Sequence, residues 1–245
     1  MDIKLLITGC VFILDNKSTG DIRKNDLKNI KVLLDNKNQL ITVPFEPKGN
    51  IKDLLRNKLS GLLEKNIYHL EQVYTLAEEK YYCNNEVNII YIAITNKENL
   101  KETLNDYKLI EFDVLNNNTI IFGNEQFKYN TEQRVLNGSL EYIHNIDTQN
   151  NIELEKELLQ LLIAYKHLRS RLDNTDIIFK FMPSSFTLED VRLVYEKITN
   201  KEIDKSNFRK KTVKYCEPIN EVTSNKGFRP SQLYKYKSNF NDLWI

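Results

Sequence analysis

Two helix starts lying 17 residues apart constrain the last quarter of this chain more than any other feature. In Phe186-Thr187-Leu188-Glu189-Asp190-Val191, Thr187 can cap a helix N-terminus and Asp190 stands at the capping-box position. Phe186 and Val191 occupy the two places of a hydrophobic staple, and the helix runs to about Thr199, with Leu188, Val191, Val194 and Ile198 facing a core. After Asn200-Lys201-Glu202 the pattern repeats, with Asp204 as cap and Ile203 and Phe208 at staple spacing. Two short capped helices joined by a turn predict a helix–turn–helix.

The second helix, 204–215, divides by face. Phe208, Thr212 and Tyr215 share one side, and Ser206, Arg209, Lys210 and Lys214 point away from it. An apolar seam with a cationic opposite face is what a helix entering the DNA major groove requires. Beyond it, a polar, turn-rich stretch leads to Arg229-Pro230-Ser231-Gln232-Leu233-Tyr234, which predicts a hairpin wing with Lys226 and Arg229 near its tip. Charge agrees with this reading. The whole chain carries a net +1, yet residues 203–237 hold 9 basic against 3 acidic side chains. Such a block is the electrostatic footprint of a nucleic-acid-binding module. The same pattern also fits a small helical domain that uses a basic surface for protein contacts.

The first half reads differently. Short β-branched runs at 5–14, 30–34, 38–45, 70–75, 87–94 and 119–122 predict strands, and Ile51, Leu54, Leu55, Leu59, Leu62 and Leu63 predict an amphipathic helix over 51–65. Sheet, helix, then sheet is an α+β order with a mixed sheet. Helices are expected over 126–144 and 152–172, and the polar loop 145–151 is the expected boundary between domains at 1–145 and 150–240. No apolar run is long enough for a membrane span, and the first residues lack a signal-peptide layout. Cys10, Cys83 and Cys216 are too few and too scattered for a disulfide framework or a zinc ribbon, so a cytoplasmic location is expected. His69, His144 and His167 stand apart in the sequence, and neither a metal nor another cofactor is expected. The pair Tyr81-Tyr82 is a candidate for stacking on a base, although packing is the plainer role for it.

Several motifs, in order, resemble one family. Phe181-Met182-Pro183-Ser184-Ser185-Phe186-Thr187-Leu188 resembles the LLPxxFTL lead-in to the winged helix of Nudix-related transcriptional regulators of the NrtR type. Lys205-Ser206-Asn207-Phe208-Arg209-Lys210-Lys211 is similar to the KxNFRRK recognition helix of that family. Gly227-Phe228-Arg229-Pro230-Ser231-Gln232-Leu233-Tyr234 is similar to its GRPAxLYRF wing, with Phe228 inserted, and His69-Leu70-Glu71-Gln72-Val73-Tyr74-Thr75-Leu76 resembles YxEQLYTF, the strand after the Nudix helix. The resemblance implies a Nudix-like sensor domain followed by a winged helix. It also implies a repressor acting on double-stranded operator DNA, and because operators are usually read as two half-sites a homodimer is expected. The effector it implies is ADP-ribose or another NAD-related nucleotide or, as in some branches of the family, a sugar. Lys205, Ser206, Asn207, Arg209 and Lys210 would then supply groove and phosphate contacts, and Lys214, Lys226 and Arg229 mainly phosphate contacts.

Active Nudix enzymes carry several glutamates on one helical face, which hold Mg²⁺ against a diphosphate. Here, counting from Gly49, the first of these positions falls on Leu55, and the stretch retains only Asp53 and Glu64. The expectation is therefore a domain without catalytic residues, whose ligand-binding residues the sequence leaves open. The alternatives are a divergent nucleoside-diphosphate hydrolase with its metal site rebuilt elsewhere, and a ligand-free scaffold for protein contacts.

Overall fold

A computed structural model of the chain describes residues 3–15, 30–47, 49–64, 69–77, 86–102, 104–136, 139–174, 176–223 and 230–237. Among these, nine strands form one sheet: β1 (Lys4–Leu14), β2 (Ile30–Asp35), β3 (Ile41–Pro44), β4 (His69–Leu76), β5 (Glu86–Asn96), β6 (Tyr107–Leu115), β7 (Thr119–Phe122), β8 (Glu125–Leu136) and β9 (Ser139–Ile146). The order is β4-β5-β1-β2-β6-β7-β8-β9, with β3 also on β1; β1 and β5 run parallel and the other pairs antiparallel. The sheet is mixed, as the sequence order implied.

Both faces of the central strands are covered. Along β1 the side chains alternate between two cores, Ile7, Val11 and Ile13 on one side and Cys10, Phe12 and Leu14 on the other. Strand β5 does the same with Ile89, Tyr91 and Ala93 against Ile90, Ile92 and Ile94. A strand buried on both faces reads as a continuous apolar run, which is why these two were legible. The first core is closed by helix α1 (Ile51–Ser60). The second is closed by helix α2 (Ile152–Arg171), and it runs on without a break into the winged-helix residues that follow. At its centre Tyr165 of α2 packs between Phe12 and Phe112, with ring centroids 5.7 and 5.5 Å away.

The helix expected over 126–144 is not there. Strands β8 and β9 pair antiparallel from Tyr129↔Ile146 to Leu136↔Ser139. Aromatic and β-branched residues at alternate positions (Phe127, Tyr129, Thr131, Val135, then Tyr142, His144 and Ile146) carry the strand period, and Asn137-Gly138 is the dipeptide of a tight hairpin. Strand β6, not anticipated as a strand, lies between β2 and β7. Helix α1 also ends five residues earlier than expected, at Ser60. Leu62 and Leu63 are buried in the core outside the helix, with Leu63 bridged to Leu100 and Lys101 Nζ bonded to the Gly61 carbonyl at 2.9 Å.

Carboxylates help tie helix α2 to the sheet, Glu157 and Glu71 among them. Glu157 accepts from the Leu40 backbone N–H at 2.9 Å. Burial, with Glu153 and Asp35 nearby, pushes its pKa from the ordinary 4.5 to about 7, against the opposing pull of the Leu40 bond and Lys156. Glu71 of β4 receives His69 Nε2 at 2.9 Å and His167 Nε2 of α2 at 3.3 Å, with Arg171 3.7 Å away. Burial opposes its ionisation, but the His69 bond and the charges of Arg171 and His167 outweigh that and hold its pKa below the usual range. No helix among the described residues is long and apolar enough to cross a membrane.

Candidate nucleic-acid interface

After α2, helix α3 (Leu188–Thr199) begins with the capping box anticipated from the sequence. Thr187 Oγ1 accepts from Asp190 N at 3.1 Å, and Asp190 Oδ2 accepts from Thr187 N at 2.7 Å. Phe186 and Val191, the staple pair, are both fully buried in the shared core. The helix ends at Asn200, whose φ of +53° is the left-handed turn that asparagine tolerates well. Helix α4 (Lys205–Thr212) starts at its cap Asp204, whose Oδ1 accepts from Asn207 N at 2.8 Å, and continues as a short 3₁₀ turn through Tyr215. Glu196 fixes the turn between the helices by accepting from Ile203 N at 2.9 Å while it pairs with Arg192.

The faces of α4 divide as the periodicity predicted. Thr212 is buried, Phe208 packs on Tyr195 at 5.5 Å between ring centroids, and Tyr215 packs on Phe179 at 5.9 Å. Lys205, Ser206, Asn207, Arg209, Lys210 and Lys214 are exposed. So is Lys211, which the face argument passed over although it belongs to the same cationic run. Two of the cations are partly engaged. Lys205 Nζ lies 3.2 Å from Glu189 on α3, and Lys214 Nζ sits 4.8 Å above the Tyr215 ring.

A hairpin follows, of β10 (Cys216–Val222) and β11 (Gln232–Tyr236), in the register Cys216↔Tyr236 to Val222↔Gln232. Phe186 and Tyr234 exchange backbone hydrogen bonds of 3.0 and 2.8 Å, so the lead-in segment is bridged to the hairpin at one residue. Phe179 stacks on Tyr236 at 5.0 Å and closes the small core beneath. Lys226 and Arg229, expected at the wing tip, lie outside the described residues, as do Tyr81-Tyr82.

On the far side of the sheet, α1 presents a different surface. Its cap is Asn50, preceded by Gly49 at φ +102°, a conformation that side chains rarely adopt. Leu55, at the first box-glutamate position, is fully buried and packs so closely on β1 that a Cβ added to Gly9 would meet it at 3.1 Å. Asp53 pairs with Arg56, and Glu64 lies beyond the helix end. Among the described residues no group of three or more His, Cys, Asp or Glu is arranged to hold a metal. This donor set does not fit the Mg²⁺ cluster of a Nudix enzyme. Among the described residues, one constellation that sequence reading missed is His69–Glu71–His167, whose two histidines are remote in the chain and meet because α2 crosses β4.

Comparison with known proteins bears on both halves. Residues 178–236 match the family described as the NrtR DNA-binding winged helix domain. No curated protein matches the chain. Among solved structures, a MutT/nudix family protein from Enterococcus faecalis superposes with a TM-score of 0.67 at 14% identity, covering 97% of this chain and 89% of that one. Shewanella oneidensis NrtR complexed with a 27mer DNA gives 0.63 at 16% identity, covering 95% and 93%. The same NrtR in a second structure gives 0.65 at 15%, covering 96% and 94%. At such identities the likeness is one of fold. Residues 178–236 are thus matched by the NrtR DNA-binding winged helix domain, and the chain as a whole has the Nudix-like sheet plus winged-helix architecture of NrtR-type Nudix-related regulators.

Proposed function

We propose that this chain is a cytoplasmic transcriptional repressor that reads double-stranded operator DNA as a homodimer. Its winged helix, within 150–240, binds the DNA, and its Nudix-like domain, 1–145, senses a small molecule without hydrolysing it. The observation that carries the reading is the exposed face of α4 and the turn after it, which sets Ser206, Asn207, Arg209, Lys210 and Lys214 to solvent above a seam of buried Thr212 and half-buried Phe208 and Tyr215. Arg209, Lys210, Ser206 and Asn207 enter the groove, and Lys205 lies at its margin, shared with Glu189. Lys214, with Lys226 and Arg229 from between β10 and β11, contacts phosphates. The NrtR structure complexed with DNA supports this use of the domain. Homodimerisation follows from the two half-sites that such domains usually read.

The effector is ADP-ribose or a related NAD-linked nucleotide, which would tie the repressor to NAD metabolism. Its action requires it to bind one arrangement of the winged helices better than another. Isothermal titration with ADP-ribose, repeated in the presence of operator DNA, tests this. Coupled binding is expected, and titrations that ignore each other would remove the effector role.

The likeness to a MutT/nudix protein favours a second reading, a divergent hydrolase. That reading requires Mg²⁺-dependent turnover of ADP-ribose that Glu64→Gln abolishes. With Leu55 buried where a metal-holding glutamate belongs, the expected result is no turnover.

A further inference from the structure

Recognition helices reach two half-sites together only if each is held at a fixed angle to the rest of its subunit. Besides the shared core and the Asn96–Met182 bond, one set of polar contacts that does this converges on two consecutive residues near the end of β6. Asp113 is 2% exposed, and its Oδ2 lies 2.6 Å from Lys197 Nζ of α3. Its Oδ1 accepts from the Tyr165 hydroxyl of α2 at 3.0 Å and from Val114 N at 2.8 Å. Burial, together with the adjacent carboxylate, pushes the Tyr165 phenol well above its ordinary pKa, so it stays a donor. One residue on, the Val114 carbonyl accepts from Arg169 of α2 and from Asn200 Nδ2 at 2.8 Å. Arg169 also donates to the Ile198 carbonyl at the end of α3, and Asn116 Nδ2 donates to the Asn200 carbonyl at 3.3 Å.

Two facts make this more than packing. Asn200 is the left-handed residue that stops α3 and aims the chain toward α4, so the sheet grips the turn that sets the recognition helix. Asp113 has both oxygens committed to partners on three elements, and a buried carboxylate deprived of its cation is strongly unfavourable, which makes the arrangement nearly all-or-none.

We propose that Asp113, Arg169, Lys197 and Asn200 form the joint fixing the direction of α4 relative to the sheet domain, and that Lys197 and Asn200 are positioning residues for operator binding. The joint stands on geometry alone, and its consequence for DNA rests on the function proposed above.

The test uses the full chain with Cys83→Ser and spin labels at the exposed positions 37 and 211, on the β2–β3 turn and on α4. The parent protein should give one narrow distance distribution. Lys197→Met combined with Asn200→Gly removes the cation and the side-chain bond while tolerating the left-handed turn, and it should broaden that distribution. On DNA selected by the unlabelled parent chain, this double variant should lose about tenfold in affinity for the two-half-site duplex and little for a single half-site. Lys197→Arg alone should restore both readouts. An unchanged distribution and unchanged affinities in a folded variant would overturn the proposal. So would equal loss on both duplexes, which is what a merely structural role predicts. If the parent shows no selective DNA binding, the function fails while the distance measurement still decides the joint.

Discussion

Helices α1 and α4 hold equivalent stations in the two halves of this molecule. Each is short and each is capped by an Asx side chain (Asn50 and Asp204). Their outward residues have gone opposite ways. On α1 the position of a metal-holding glutamate is Leu55, turned into the core against Gly9, and Asp53 is spent on Arg56. On α4 the seam is as economical as it can be, with Phe208 and Thr212, and most of the remaining positions are exposed cations or small polar groups. Two short helices capped in the same way can therefore be used differently, one for packing and one to present cations to solvent. The residues to examine are those whose exposure packing does not require.

The contrast can be broken in four ways, taken from the largest expected effect down. Leu55→Glu restores a box glutamate by sequence, but it buries an unpaired charge and should cost about 4 kcal/mol or more of stability in urea unfolding. A stable, Mg²⁺-dependent ADP-ribose hydrolase from that change would mean that α1 still fronts an open site. Arg209→Ala should do the reverse, leaving stability within about 0.5 kcal/mol while weakening operator binding by about 1–3 kcal/mol if it reads a base edge. Loss of stability without loss of selectivity would reassign Arg209 to packing.

Third in size is a pH effect at the seam between α2 and the sheet. Because the folded chain holds the Glu157 proton up to about pH 7 and the unfolded chain only to about 4.5, the folded state binds more protons in that window. Stability therefore falls as pH rises through it. Glu157→Gln keeps an acceptor for Leu40 N and should remove about 1–3 kcal/mol of that decline. Parallel melting curves for both proteins from pH 4.5 to 7.5 would contradict the assignment. Smallest is Lys214→Ala, expected to weaken all DNA sequences alike by less than about 1 kcal/mol and to lower the salt slope by about 1. A sequence-dependent effect there would move Lys214 from phosphate to base contact.

Where the sequence was readable, local chemistry decided the structure. Thr187 and Asp204 cap their helices because short oxygen side chains satisfy free N–H groups whatever surrounds them, and β1 and β5 announced burial on both faces by nearly continuous apolar runs, Cys10–Leu14 and Ile89–Ile94. The 126–144 stretch misled because good helix formers such as Gln126, Glu132, Gln133 and Leu136 mask an alternation that only cross-strand pairing makes effective. Long-range meetings left no local trace. His69 with His167 on Glu71, and Asp113 with Lys197, join segments far apart in the chain, and nothing in either segment alone marks its partner. For the candidate site, the four residues chosen by face (Ser206, Arg209, Lys210 and Lys214) are exposed, as are Lys205 and Asn207, which the resemblance added, while Lys226 and Arg229 lie outside the described residues.

The central claim is that α4 reads DNA sequence. Fluorescence anisotropy of the purified chain with duplex from upstream of its own gene, against a scrambled duplex at two salt concentrations, measures it directly. The account predicts tight binding to the first that weakens with salt yet keeps its preference over the second. Equal, weak and strongly salt-dependent binding to both would contradict it and leave the basic face of α4 as a charged surface without a reading function.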